Sequence, residues 1–81
     1  MYFLKWHLMT NRDRFIKLTE QRVNRAIKQL DLIGNLSNKS NYSYSEEDVR
    51  KIFKVLNGKL KEVEHRFEQS ISSNKKEQFR L

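Results

Sequence analysis

The sequence predicts an all-α protein, an antiparallel two-helix hairpin that dimerises into a four-helix bundle. Three observations lead there. Proline is absent, glycine occurs only twice in 81 residues, and 33% of the residues are charged, a composition that suits long uninterrupted helices and lacks the turn residues of a sheet. Apolar residues recur at alternating steps of three and four in two long segments, as they do at the a and d positions of a heptad. A polar stretch rich in Asn and Ser separates the segments, and such side chains prefer local backbone hydrogen bonds to helix.

The first helix is expected over about residues 12–33. Its seam is Ile16, Thr19, Val23, Ala26, Leu30 and Ile33, with Phe15 and Ile27 widening it on either flank, as in a bundle helix that meets more than one neighbour. Thr10 or Asn11 is placed to cap its start, and Gly34 stands where a left-handed residue usually ends a helix.

The second helix is expected over about residues 46–69, with a seam of Val49, Phe53, Leu56, Leu60, Val63 and Phe67. Ser45 and Asp48 have the spacing of a capping box. Tyr44 and Val49 flank the cap in the positions of a hydrophobic staple, and Glu46, Glu47 and Asp48 complement the positive end of the helix dipole. Gly58 costs about 1 kcal/mol inside a helix relative to alanine. The heptad phase runs unbroken across it and places it at an outer f position, so one helix is expected through Asn57-Gly58.

The connection from Asn35 to Tyr44 has ten residues, and Leu36, Tyr42 and Tyr44 are expected to fold back over the end of the hairpin. Residues 10–71 thus form the hairpin. Residues 72–81 read as a polar, basic and disordered tail. Residues 1–9 form an apolar amino-terminal extension with Phe3, Leu4, Trp6 and Leu8. That run is too short to span a bilayer, which takes roughly 20 apolar residues, and it lacks the basic start and small-residue cleavage site of a secretory signal. A cytoplasmic protein with no membrane partner is expected.

A chain this short is near the lower limit for a self-sufficient core. It has no cysteine for a disulfide, and with only His7 and His65 no Cys/His metal site can be assembled. Self-association is therefore the expected staple, with a dimer core of Ile16, Val23, Leu30, Ile33, Phe53, Leu56, Leu60, Val63 and Phe67. The competing arrangement is a monomer closed by its apolar amino segment.

The pattern holds no set of groups for catalysis. Both glycines are isolated, so no phosphate-binding loop is present, and no general base is placed to activate a Ser or Thr. His65 and Glu68 read as a surface ion pair. No enzyme activity, metal or cofactor is expected.

Charge is the more informative property. Seventeen Lys and Arg against ten Asp and Glu leave +7, which favours anionic partners. The first helix has six basic residues (Arg12, Arg14, Lys17, Arg22, Arg25 and Lys28) against Asp13, Glu20 and Asp31, a net +3. Glu46 to Gln69 balances six against six. Arg14, Lys17, Gln21, Asn24, Arg25 and Lys28 share one side of the first helix, with Arg12 and Arg22 at its margins. Cations interleaved with amides suit phosphate and base-edge contacts, whereas a solvated outer face is the plainer reading of the same stripe.

From Val23-Asn24-Arg25-Ala26-Ile27-Lys28 through Leu32-Ile33-Gly34-Asn35-Leu36-Ser37-Asn38 to Asn41-Tyr42-Ser43-Tyr44, the chain resembles short helical-hairpin proteins of plasmids, prophages and conjugative elements of Gram-positive bacteria. These pair a helix ending in Gly-Asn-Leu-Ser-Asn with a second helix. The resemblance spans about residues 15–68 and lies in a loop signature, so it assigns no residue a role. It implies a start near Met9, with residues 1–8 an extension, and a mobile-element protein that binds nucleic acid or blocks a host enzyme. The expected function is a small interaction protein that self-associates and binds DNA, RNA or a nucleoprotein through the basic face. The alternative is an inhibitor or adaptor acting on an acidic host protein.

Overall fold

The computed structural model of the chain describes residues 9–77, with side chains described as far as residue 73. Over that span it is all-helical, with helices Asn11–Asn35 (α1) and Glu46–Glu77 (α2) and no strand. The chain divides into two units, residues 1–43 around α1 and residues 44–81 around α2. The readings of residues 1–8 as an extension or a packing arm, and of residues 78–81 as tail, lie outside the described residues.

α1 begins at a capping box. Thr10 is extended, its Oγ1 accepts the Asp13 N–H at 3.0 Å, and Asp13 Oδ2 accepts the Thr10 N–H at 3.2 Å. Thr10 rather than Asn11 is therefore the cap. Asn11 is the first helical residue, and its Oδ1 accepts from Arg14 Nη2 at 2.6 Å.

The end of α1 corrects the reading of Gly34. No glycine has a positive φ, and the helix passes through Gly34 to Asn35. The cap is Leu36 in a right-handed helical conformation. The Leu36 N–H donates to Ile33 O at 3.0 Å and the Ser37 N–H to Gly34 O at 3.1 Å, so the last turn tightens into three-residue steps that satisfy its carbonyls. Glycine permits a left-handed ending but does not impose one.

Asn38 organises the connection. Its carbonyl accepts the N–H groups of Asn41 and Tyr42 at 3.1 and 3.0 Å, and its Oδ1 accepts the Ser40 N–H at 3.0 Å, the local bonding that suits Asn to turns. Leu36 and Tyr42, expected to fold back as a closure, remain 51% and 48% exposed. Tyr44 and Val49, the pair in the staple positions, are half-buried.

α2 also starts at a capping box: Ser45 Oγ accepts the Asp48 N–H at 3.1 Å and Asp48 Oδ2 accepts the Ser45 N–H at 2.9 Å. The helix is continuous through Gly58, as the unbroken seam predicts. It also runs beyond Gln69, its expected end, to Glu77. Residues 72–77, expected as disordered tail, are helical: the segment contains no glycine or proline to stop the helix, and Lys75, Lys76 and Glu77 are good helix formers whatever their polarity.

No described residue is buried. Each helix carries an apolar stripe and an opposing polar face, so burial of the stripes, which supplies most helical stability in proteins, requires a covering surface. Gly58 lies on the opposite side of α2 from its stripe, and a Cβ there would meet nothing within 4 Å. Gly58→Ala is accordingly expected to stabilise the protein by about 1 kcal/mol, raising the melting temperature by roughly 4–8 °C in a domain of this size. Thermal denaturation followed by circular dichroism measures the shift. A lower melting temperature would mean that the glycine face is occupied.

Candidate functional site

At roughly 100° of rotation per residue, the six polar stripe residues of α1 fall within an arc of about 100°. In order around the helix they run Asn24, Lys17, Lys28, Gln21, Arg14 and Arg25. The seam residues Ile16, Val23, Leu30 and Ile33 occupy an arc centred on the opposite side, with Phe15 and Ile27 at or just beyond its edges. This separation follows from the sequence: the seam keeps to a and d while the stripe keeps to b, c and f.

Several side chains of the stripe are not neutralised by a carboxylate of their own helix. Arg14 is held by the neutral Asn11 amide. Among the described residues Gln21, Asn24, Arg25 and Lys28 have no side-chain hydrogen bond or ion pair. Arg12, read as a margin of this face, stands instead at a d position on the opposite, apolar side, seven residues before Thr19. Its guanidinium lies 5.7 Å from the centroid of the Phe15 ring, a cation–π contact on the apolar flank.

α2 is different in kind. Arg50 pairs with Glu46 at 3.8 Å, Lys51 with Glu47 at 3.7 Å, and Lys59 and Arg66 both hold Glu62, at 2.9 and 3.1 Å. All are three or four residues apart and exposed, so solvent screening leaves each a small contribution to stability. The hydrogen bond from Lys59, then its charge, followed by the Arg66 contacts, holds the Glu62 carboxyl below the ordinary glutamate range. Four of the six cations between Glu46 and Gln69 are thus matched within α2, whereas Arg25 and Lys28 of α1 have no ion pair among the described residues.

The apolar residues assigned to a dimer core all lie on the stripes of their helices. On α1, Ile16, Val23 and Leu30 are exposed and Ile33 is half-buried; on α2, Phe53, Leu60, Val63 and Phe67 are exposed and Leu56 is half-buried. The α2 stripe includes two residues absent from the heptad reading, Ile52 and Ile71, which sit at the g and e positions flanking it. A helical stripe wider than the a/d pair would have found both. Three apolar residues lie off the stripes: Leu18 and Leu32 at c positions of α1, and Val55, 69% exposed, at a c position of α2. Leu32 falls inside the basic arc, an intrusion that counting charges alone did not register.

His65 and Glu68 line a surface groove of α2 with Gln69, Ser72 and Ser73. Among the described residues there is no group of three or more His, Cys, Asp or Glu placed to hold a metal ion, and no helix is long and apolar enough to cross a membrane. No protein-family profile, curated protein or solved structure matches the chain.

Proposed function

We propose that the chain is a non-enzymatic interaction protein of the cytoplasm that pairs with a second copy of itself and offers the basic face of α1 to nucleic acid or a nucleoprotein. The observation that carries the reading is the contrast between the helices: α2 pairs Arg50, Lys51, Lys59 and Arg66 with its own carboxylates, while Arg25 and Lys28 of α1 have no anionic partner among the described residues. Charge left uncompensated along one face attracts an anion, and a phosphate backbone presents anions at regular spacing. The exposed stripes support the pairing. α1 and α2 folded into an antiparallel hairpin would bring two stripes to one side, and two hairpins face to face would enclose four, with helices crossing near 20°. Two copies also double the formal charge of +7.

The same exposed stripes favour a second reading, in which they receive a host protein and the chain acts as an inhibitor or adaptor. A gel-shift series with DNA and RNA at low and moderate salt, run beside a pull-down from a bacterial lysate, separates the two. The nucleic-acid reading expects retarded complexes that dissolve as salt rises. A stoichiometric complex with one protein and no retardation at low salt would replace it with the adaptor reading.

A further inference from the structure

Resting on the nucleic-acid reading and narrowing it, we infer that α1 lies in the major groove of B-form duplex DNA, with Gln21 and Asn24 at the base edges, Arg14 and Arg25 on phosphates along one border, and Lys17 and Lys28, before and after the amides along the axis, on phosphates toward the two ends of the contact. The dimensions fit. From Arg14 to Lys28 the helix rises ~21 Å at 1.5 Å per residue, about six base pairs at 3.4 Å each. A helix with its side chains is about 10–12 Å across, matching a B-DNA major groove about 12 Å wide. The corresponding groove of A-form RNA is too deep and narrow to be read by side chains.

The chemistry of the arc points the same way. A face that held only phosphates would need only cations, yet two amides lie among them with no side-chain hydrogen bond among the described residues. Gln and Asn are the side chains that make paired hydrogen bonds to the N6 and N7 of adenine, an edge displayed in the major groove. Leu32, 49% exposed, lies in the same arc. An apolar side chain there gains nothing from phosphate but suits the thymine methyl group, which also projects into the major groove and which uracil lacks.

Single strands are disfavoured by what the arc does not contain. Proteins that hold single-stranded nucleic acid stack bases on aromatic rings. The aromatic residues of the described helices are Phe15, on the apolar flank of α1, and Phe53 and Phe67, on the stripe of α2. None of them stands among the cations.

Fluorescence anisotropy of the full chain at low salt, with a labelled duplex DNA, its single strand and the equivalent duplex RNA, tests the assignment. Duplex DNA is expected to bind at least about tenfold more tightly than either competitor. Methyl green, which occupies the major groove, is expected to displace the protein, whereas the minor-groove ligand netropsin is not. Gln21→Ala with Asn24→Ala, both at exposed positions, is expected to reduce discrimination between duplex sequences while leaving the salt dependence unchanged. Equal or tighter binding to the single strand or to RNA, or displacement by netropsin alone, overturns the groove assignment and leaves the nucleic-acid reading standing. No binding to any of the three at low salt removes that reading itself.

Discussion

Leu56→Asp is expected to abolish the folded state, with loss of most helical ellipticity and of any concentration-dependent melting. Leu56 stands mid-seam on α2 and is half-buried where Phe53, Leu60, Val63 and Phe67 are exposed. In a paired bundle its side chain would be enclosed. Removing a buried leucine costs about 2–5 kcal/mol, and leaving an unpaired carboxylate in its place adds several more. Two-fold pairing applies the cost twice, which matches or exceeds the roughly 5–15 kcal/mol that holds a typical domain together. Leu30→Asp should act in the same way through α1.

Val55→Asp supplies the contrast. It is one residue away but off the stripe and 69% exposed, so its effect should stay within about 0.5 kcal/mol. Dilution should lower the melting temperature of the parent protein, as mass action requires of a dimer. Light scattering that gives a monomer at all concentrations, with melting unaffected by dilution, would contradict the pairing.

The second large effect is on binding. Each phosphate neutralised on duplex DNA contributes about 0.9 to the slope of log K against log salt. With Arg14, Lys17, Arg25 and Lys28 as four contacts, raising salt from about 50 to about 200 mM should weaken binding about a hundredfold for one engaged stripe, and about ten-thousandfold when both stripes of a dimer engage. The measured slope therefore also reports how many copies of α1 touch the duplex. Arg25→Ala with Lys28→Ala should reduce the slope by about two units per engaged stripe. Lys59→Ala with Arg66→Ala removes as much charge from α2, but these cations already serve Glu62, and the slope should hardly change. Binding indifferent to salt would show that the face does not contact phosphates.

The elements that sequence located well are those set by neighbours within one helical turn. The Ser45–Asp48 capping box, the continuity across Gly58 and the starts of both helices depend on residues three or four apart, and the structure has them, together with a second box at Thr10 and Asp13 that the spacing also allows. The misreadings arose where a residue type was treated as an instruction. Gly34 allows a left-handed turn, but the Ile33 and Gly34 carbonyls find donors in Leu36 and Ser37 without one. The polarity of the run from Ser72 suggests disorder, although nothing in it stops a helix, Lys75, Lys76 and Glu77 favour one, and Ile71 just before it extends the apolar stripe. The basic arc was visible in the spacing alone. That Arg14 and Arg25 have no acid three or four residues away is legible in the sequence too, whereas Lys28, which stands three residues before Asp31 and yet has no ion pair among the described residues, is a matter of side-chain geometry.

The capping boxes, the turn at Asn38 and the ion pairs of α2 all join residues no more than four apart, and no described side chain is buried. For the paired protein proposed above, the ordering entropy is then met mainly by encounter between chains. Abundance becomes a structural variable: a cell making few copies would hold chains that fray and are open to proteases, and one making many would hold assembled, long-lived bundles. Gene dosage would thus set the level of active protein more steeply than in proportion to synthesis, with no dedicated regulator.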